Sequence, residues 1–397
     1  MASGSTAFFS SIQAIDHGDH GDHSLHGDFI ASSGVPSIAA PSLIMSHAVL
    51  SGPWKWDPST FPAQLDFNDS RNILNWSPDV RTMIAQQEIA SHILVKPKTT
   101  GSETNGDSCD AETDRHIAEI CLRTGNSDDN LIASIDRPPM SLFAEQLHFV
   151  EYYADQRLER VAEITLQITD VMSNFAAIVP LRPERRRWTL EFIRICLRAV
   201  SLVEMQTKHL LACRRPDEFW PQVQPMIQMP SHSSYPSGHG TEAFLIATLL
   251  RHFAKASVFA GATGWFEEVE KQLRAQACRI AQNRVVAGVH FPIDNAAGSI
   301  LGVSVANFIL KLAGADGTEL FGRRFDSVSF GQENDFTQEA ARGIHKKESL
   351  RNPDERVFSE VIELFDCSLE NSAIGAIYQE ALKEWGDPQV SAATETK

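Results

Sequence analysis

Residues 188–216 read WTLEFIRICLRAVSLVEMQTKHLLACRRP. The stretch reads as one helix from Trp188 to Cys213 that stops against a proline. Lys208 and Arg215 are seven residues apart, so on a continuing helix they share a face two turns on. Pro216 biases Arg215 away from helical angles. The helix therefore ends there, and the guanidinium is free to swing into a pocket.

Helical spacing extends on both sides of this stretch. Phe143, Leu147, Val150, Ala154, Leu158, Val161, Thr165, Ile168 and Met172 recur at steps of three and four, one stripe of an amphipathic helix. Further helices are expected from Gly238 to about Ala254, from Trp265 to Ala287 and from Asp294 to Leu312. Val, Ile and Thr alternation over strand-length windows is scarce, so the expected fold class is all-α, a helical bundle. Residues 136–315 form the catalytic bundle on this reading. Residues 1–135 are an N-terminal extension with flexible segments, and 316–397 a C-terminal loop and helix. Within the flanks, 97–115 is expected to be a polar loop. Asp354 to Trp385 is expected to be helical, with Pro353 as its start signal. DPQVSAATETK, at 387–397, is expected to be a frayed tail.

Composition narrows the function. The 397 residues carry a formal net charge of −16, which argues against nucleic acid and anionic membrane surfaces as general partners. An anionic ligand must then be held by a local cluster of cations working against the global field. The N-terminus lacks a basic start followed by a long apolar run. No stretch reaches the ~18 uncharged apolar residues of a spanning helix. Ala296–Leu310, with Ser299, Ser304 and Asn307, reads as a buried core helix. The expectation is a cytoplasmic protein without a membrane partner. Six scattered cysteines show no metal-ligand or redox spacing and read as free thiols. His17, His20, His23 and His26 alternate with Asp and Gly. They read as a flexible polar segment, with weak Zn²⁺ or Ni²⁺ binding as the alternative.

Two further segments complete the chemistry begun at Lys208. Pro236-Ser237-Gly238-His239 opens a helix, and a helix start offers unpaired N–H groups and partial positive charge to an oxyanion. Gly238 lets backbone come close, and the Ser237 hydroxyl can donate or accept. Arg284 sits late in its helix, which Gly288 breaks, so His290 lies in a turn beyond. Asp294, four residues on, can take the other ring N–H of His290 and fix its tautomer. Three cations, a helix start and two histidines suit one tetrahedral or trigonal-bipyramidal oxyanion.

In order and spacing these segments resemble the superfamily that joins type 2 phosphatidic acid phosphatases, bacterial acid phosphatases and vanadium-dependent haloperoxidases. The resemblance implies a helical bundle in which Lys208, Arg215, Ser237, Gly238 and Arg284 bind the oxyanion. It makes His239 the acid/base group and Asp294 the group that orients His290. His290 is then either a nucleophile that forms a phosphohistidine or the axial ligand of vanadate. It also allows a homo-oligomer, since helical members of the group self-associate. Asn283 stands where phosphatases of the group usually have Ser. His232, seven before His239, matches a second pocket histidine of bromide-oxidising members and is the halide-site candidate. Met205 replaces the Trp or Arg frequent in studied haloperoxidases. The sequence favours a haloperoxidase-like enzyme that uses vanadate, hydrogen peroxide, a halide (bromide favoured) and a small organic acceptor. The alternative is a phosphatase acting on a phosphomonoester without vanadate. A helical binding protein without turnover is the third reading.

Overall fold

Apolar periodicity of 3.6 places most helices correctly, but strands flank them on both sides. The structure, a computed structural model, describes residues 57, 59, 63–100, 115–123, 130–257, 259–315, 320–364 and 367–386. The histidine-rich stretch at 17–26 and the tail at 387–397 lie outside the described residues. In chain order the first elements are helix α1 (Pro78–His92) and strands β1 (Ile93–Thr100), β2 (Arg115–Leu122) and β3 (Leu131–Asp136). Helices α2 (Met140–Ala154), α3 (Arg157–Leu166), α4 (Met172–Ala176), α5 (Pro183–Leu211) and α6 (Pro216–Phe219) follow. Next are α7 (Gly238–Lys255), α8 (Trp265–Val286) and α9 (Pro292–Leu312). The chain continues through β4 (Phe321–Phe325), α10 (Ser327–Phe330), β5 (Leu350–Arg351), β6 (Val357–Glu363) and α11 (Ala373–Gly386).

The protein is thus mainly helical, and the all-α expectation is corrected by a six-stranded sheet in the order β1-β2-β3-β4-β6-β5. β3 and β4 run parallel, with Ala133 opposite Arg323, while the other neighbours are antiparallel. All six residues of β3 are buried, so it shows no inside–outside alternation for a sequence reading to find. Pro97 sits in β1, an edge strand, where a missing N–H costs no ladder bond to a further neighbour. The expected loop at 97–115 is strand at its described ends. The expected helix at 354–385 is strand β6 followed by α11, and Pro353 starts no helix.

The amphipathic stripe from Phe143 to Met172 is three helices, not one. Arg157, the first residue of α3, sends its guanidinium to the carbonyls of Val223, Gln224 and Val286 at 2.8–3.0 Å. The stripe is not buried throughout, because Leu158 is 90% exposed.

Helix α9 carries the core. Of its residues only Lys311 is not buried, and it packs on α7 and on β4. By length and composition it is the one helix among the described residues that could cross a membrane, yet it lies wholly inside the protein. Gly298 and Gly302, one turn apart, let α9 press against the backbone of α7. A Cβ on Gly298 would stand 2.6 Å from the Ser237 carbonyl oxygen, and one on Gly302 would meet Thr241 O still closer. This flush packing fixes where α7 begins.

Candidate active site

Helix α5 ends at Ala212, whose left-handed φ of 47° turns the chain. Arg215 follows in extended conformation (φ −88°, ψ 160°), as Pro216 requires. The 233–236 loop is tied back to this turn. Cys213 N donates to Ser233 Oγ at 2.8 Å, and Ser234 N donates to Cys213 O at 3.0 Å. Lys208 is buried, and its Nζ donates to Ser233 O (3.2 Å), Ser234 O (2.8 Å) and Pro236 O. Its ammonium therefore braces the loop that leads into α7. Burial brings its pKa down to about 8.

His290 and Asp294 stand as the i, i+4 spacing led us to expect. Nδ1 of His290 is 2.8 Å from Asp294 Oδ2 and donates to it. That leaves the Nε2 lone pair facing Arg215, whose Nη1 is 3.4 Å away. Asp294 Oδ2 also accepts from Ser234 Oγ (2.5 Å) and Phe291 N (3.0 Å). Its backbone carbonyl accepts from Ser237 N at 2.8 Å, which joins the third motif to the second. Arg215 is held by the carbonyls of Val289 (2.7 Å) and His232 (3.0 Å), and its Nη2 lies 3.2 Å from His232 Nδ1.

At the start of α7 the Ser237 side chain accepts from Gly240 N, so it serves as the N-cap. His239 donates from Nε2 to Gln167 O at 2.8 Å. The side-chain oxygen of that same Gln167 accepts from Arg284 Nη2 at 2.9 Å and from Asn283 Nδ2 at 3.0 Å. Gln167 was not singled out in the sequence, since it belongs to no motif. Arg284 is buried, yet its Nε and Nη1 have no partner. Leaving such donors unmet in the interior is costly, so they are the clearest place for an external acceptor.

A cavity of about 90 Å³ is lined by Arg215, His232, Gly238, His239 and His290 together with Glu204, Met205 and Glu242. One water needs roughly 10–15 Å³ of such space, so the cavity has room for a small oxyanion. Lys208, Ser237 and Arg284 are not among its walls. They are linked to it through the 233–236 loop, the helix start and Gln167. The two glutamates were also not foreseen, although Glu204 stands one helical turn before Lys208. Three cations (Lys208, Arg215, Arg284) are matched by three buried carboxyls (Glu204, Glu242, Asp294).

Burial, with Arg215 and Lys208 nearby, holds the His290 pKa well below 6.5. The folded state then binds no proton there while the unfolded chain does. Stability from this group is complete above about pH 6.5 and is lost as pH falls below it. His290→Gln is expected to flatten that acid-side loss in urea melts at about pH 7.5 and 5.5. An equal pH response of variant and wild type would contradict the assignment. Removing Arg284 is expected to slow any oxyanion chemistry by about 10²–10³-fold, as loss of a transition-state donor does. A rate for Arg284→Ala within about threefold of wild type would refute it.

This is a mainly helical protein with an arginine–histidine pocket at a helix start. Residues 190–317, from within α5 to just beyond α9, match the PAP2 superfamily. That span contains every residue of the three motifs, and Glu204 and Glu242, but not Gln167. The chain is similar to the bacitracin transport permease protein BcrC of Bacillus licheniformis, 35% identical over 93 residues. The match takes in 23% of this chain and 40% of the relative.

Proposed function

We propose that the pocket hydrolyses phosphomonoesters through a phosphohistidine on His290. The observation that carries this reading is the state of that imidazole. It is buried and uncharged, its Nδ1 proton is committed to Asp294, and its Nε2 lone pair faces the cavity beside Arg215. In the first step Nε2 attacks phosphorus, the N–P bond forms, the P–O bond to the alcohol breaks, and His239 on the cavity wall gives the leaving oxygen a proton. Asp294 stabilises the positive charge that grows on the ring. Arg215, on the cavity wall, takes the equatorial oxygens, and the buried cation of Arg284 adds its field from behind that wall. Water then attacks phosphorus and gives a proton back to His239, the N–P bond breaks, and phosphate leaves. PAP2 superfamily members are generally phosphatases or haloperoxidases.

One observation favours the second reading, a vanadium haloperoxidase. His232, the halide-site candidate, lies on the cavity wall beside Arg215. The Nε2 of His290 and the guanidinium of Arg215, both on the cavity wall, also fit vanadate, which they would hold. Bound there, vanadate would supply a Lewis acid for activating hydrogen peroxide. The two are separated by assay. Release of p-nitrophenol from p-nitrophenyl phosphate, inhibited by orthovanadate, supports the phosphatase. Bromination of a phenol dye with peroxide, and vanadium retained near one per chain after dialysis, would replace that reading with the peroxidase.

A further inference from the structure

A second cavity, of about 470 Å³, lies toward the other end of α7. Arg251 on its wall is about 20 Å along the helix axis from Gly238, at 1.5 Å per residue. The end of α9, helix α11 and the chain before β5 supply the rest, including Leu310, Tyr378, Leu382 and His345. Pockets of this size take small organic molecules. Among the described residues no carboxylate stands on the wall, whereas Arg251, His252 and Lys255 do. In a chain of net charge −16 that arrangement calls for a cause.

Arg251 and Lys255 are four residues apart and share one face of α7. Cations in the last turn of a helix answer its partial negative charge, and His252 and Lys255 serve that purpose. The effect fades beyond the last turn, so it does not account for Arg251. Glu270 on α8 pairs with Arg251 at 3.3 Å but lies off the wall. His345 adds an independent observation, being only 6% exposed. Thr248 Oγ1 gives its own proton to Phe244 O at 2.7 Å, so it accepts from His345 Nε2, 3.2 Å away. Nδ1 is then a lone pair, and it has no partner among the described residues. A polar group left unused in the interior is costly. Burial, then the charges of Arg251, Arg274 and Arg323, keep this ring neutral with a pKa well below 6.5. The same three cations make the surroundings electropositive.

We propose that this cavity is a binding site for a small organic phosphate, separate from the catalytic pocket. Arg251 and Lys255 hold the phosphate, and the carbon body lies against Leu310, Tyr378 and Leu382. Two cations without a carboxylate suit a dianion. The apolar part of the wall suits a body that inorganic phosphate lacks. Nothing in this assignment depends on what the catalytic pocket does.

Equilibrium dialysis with phenylphosphonate, which has no ester bond to hydrolyse, counts the sites. Wild type is expected to bind one molecule more than Ala256→Trp, in which an indole fills the cavity from an exposed wall position. Lys255 is also exposed, and Lys255→Gln leaves the Arg251–Glu270 pair intact. It should weaken the extra site by roughly two- to tenfold. Arg215→Ala, which disables the catalytic pocket, should leave that site in place. Inorganic phosphate should bind there about tenfold or more weakly than phenylphosphonate, having no ring to bury. Equal counts in wild type and Ala256→Trp, an extra site indifferent to Lys255→Gln, or equal affinity for inorganic phosphate overturns the proposal and leaves the phosphatase reading untouched. If Ala256→Trp fails to fold, the Lys255→Gln titration decides alone.

Discussion

Replacing His290 with alanine is expected to abolish turnover, by about 10⁴-fold or more, the scale on which losing a nucleophile acts. The reason lies in how many groups are organised around this one ring. Asp294 accepts from its Nδ1, Ser234 and the Phe291 amide hold Asp294, and Arg215 stands against its Nε2. No other imidazole can take over. His239 Nε2 is committed to Gln167 O, and His232 lies on the far side of the Arg215 guanidinium fork, against Nη2. The substitution should leave the fold standing, because Asp294 keeps two of its three donors. Truncation and the lost hydrogen bond together should cost about 1–3 kcal/mol. The check is twofold. Rates on p-nitrophenyl phosphate are compared with wild type, and alkali-stable label from a ³²P-ester is sought on both proteins. Wild type should carry label and the variant none. A variant retaining a rate within about tenfold of wild type would remove His290 from the chemistry.

Some of this site was legible in residue spacing, and some was not. Asp294 at i+4 from His290 is a local relation, and the helix that starts at Pro292 delivers it directly. Arg215 was legible for a similar reason, since the proline after it restricts its backbone. Glu204 was within reach of the same argument. It is four residues before Lys208, on the face that the Lys208–Arg215 spacing had already marked, and extending that face backwards one turn finds it. Gln167 offered no such signal. It touches the site only because α3 ends against α8, and nothing in one dimension brings residue 167 to 239 and 284. The sheet was hidden for a different physical reason. β3 is buried on both faces and reads as a plain apolar run, and its partner β4 lies beyond the whole bundle in sequence. Arg323 and Arg324 in β4 look like solvated charges, yet Arg323 is buried against the carbonyls of Gly343, Ile344 and Lys346. The sheet also supports the site, since Tyr235, immediately before the second motif, donates its hydroxyl to the carbonyl of Asp136 at the end of β3.

Gly302→Val is expected to unfold the protein or come close to it. A side chain at 302 would meet backbone, the Thr241 carbonyl and the Leu245 amide, rather than a side chain able to rotate away. Overpacking a core with extra methylenes costs about 1–3 kcal/mol when neighbours can adjust. Here α9 is enclosed on every side and α7 is pinned at its start by Ser237 N on Asp294 O. The cost should therefore exceed that range and consume much of the roughly 5–15 kcal/mol by which domains are stable. Gly298→Ala, one turn nearer the pocket, separates the two consequences of this packing. Its Cβ would press on the Ser237 carbonyl and displace the start of α7. Activity should then fall further than the melting point suggests. Urea melts of Gly302→Val and Gly298→Ala, read beside rates on p-nitrophenyl phosphate, test both statements. A Gly302→Val protein as stable as wild type would mean that α7 and α9 are not in backbone contact. The position of Ser237, Gly238 and His239 would then need another cause.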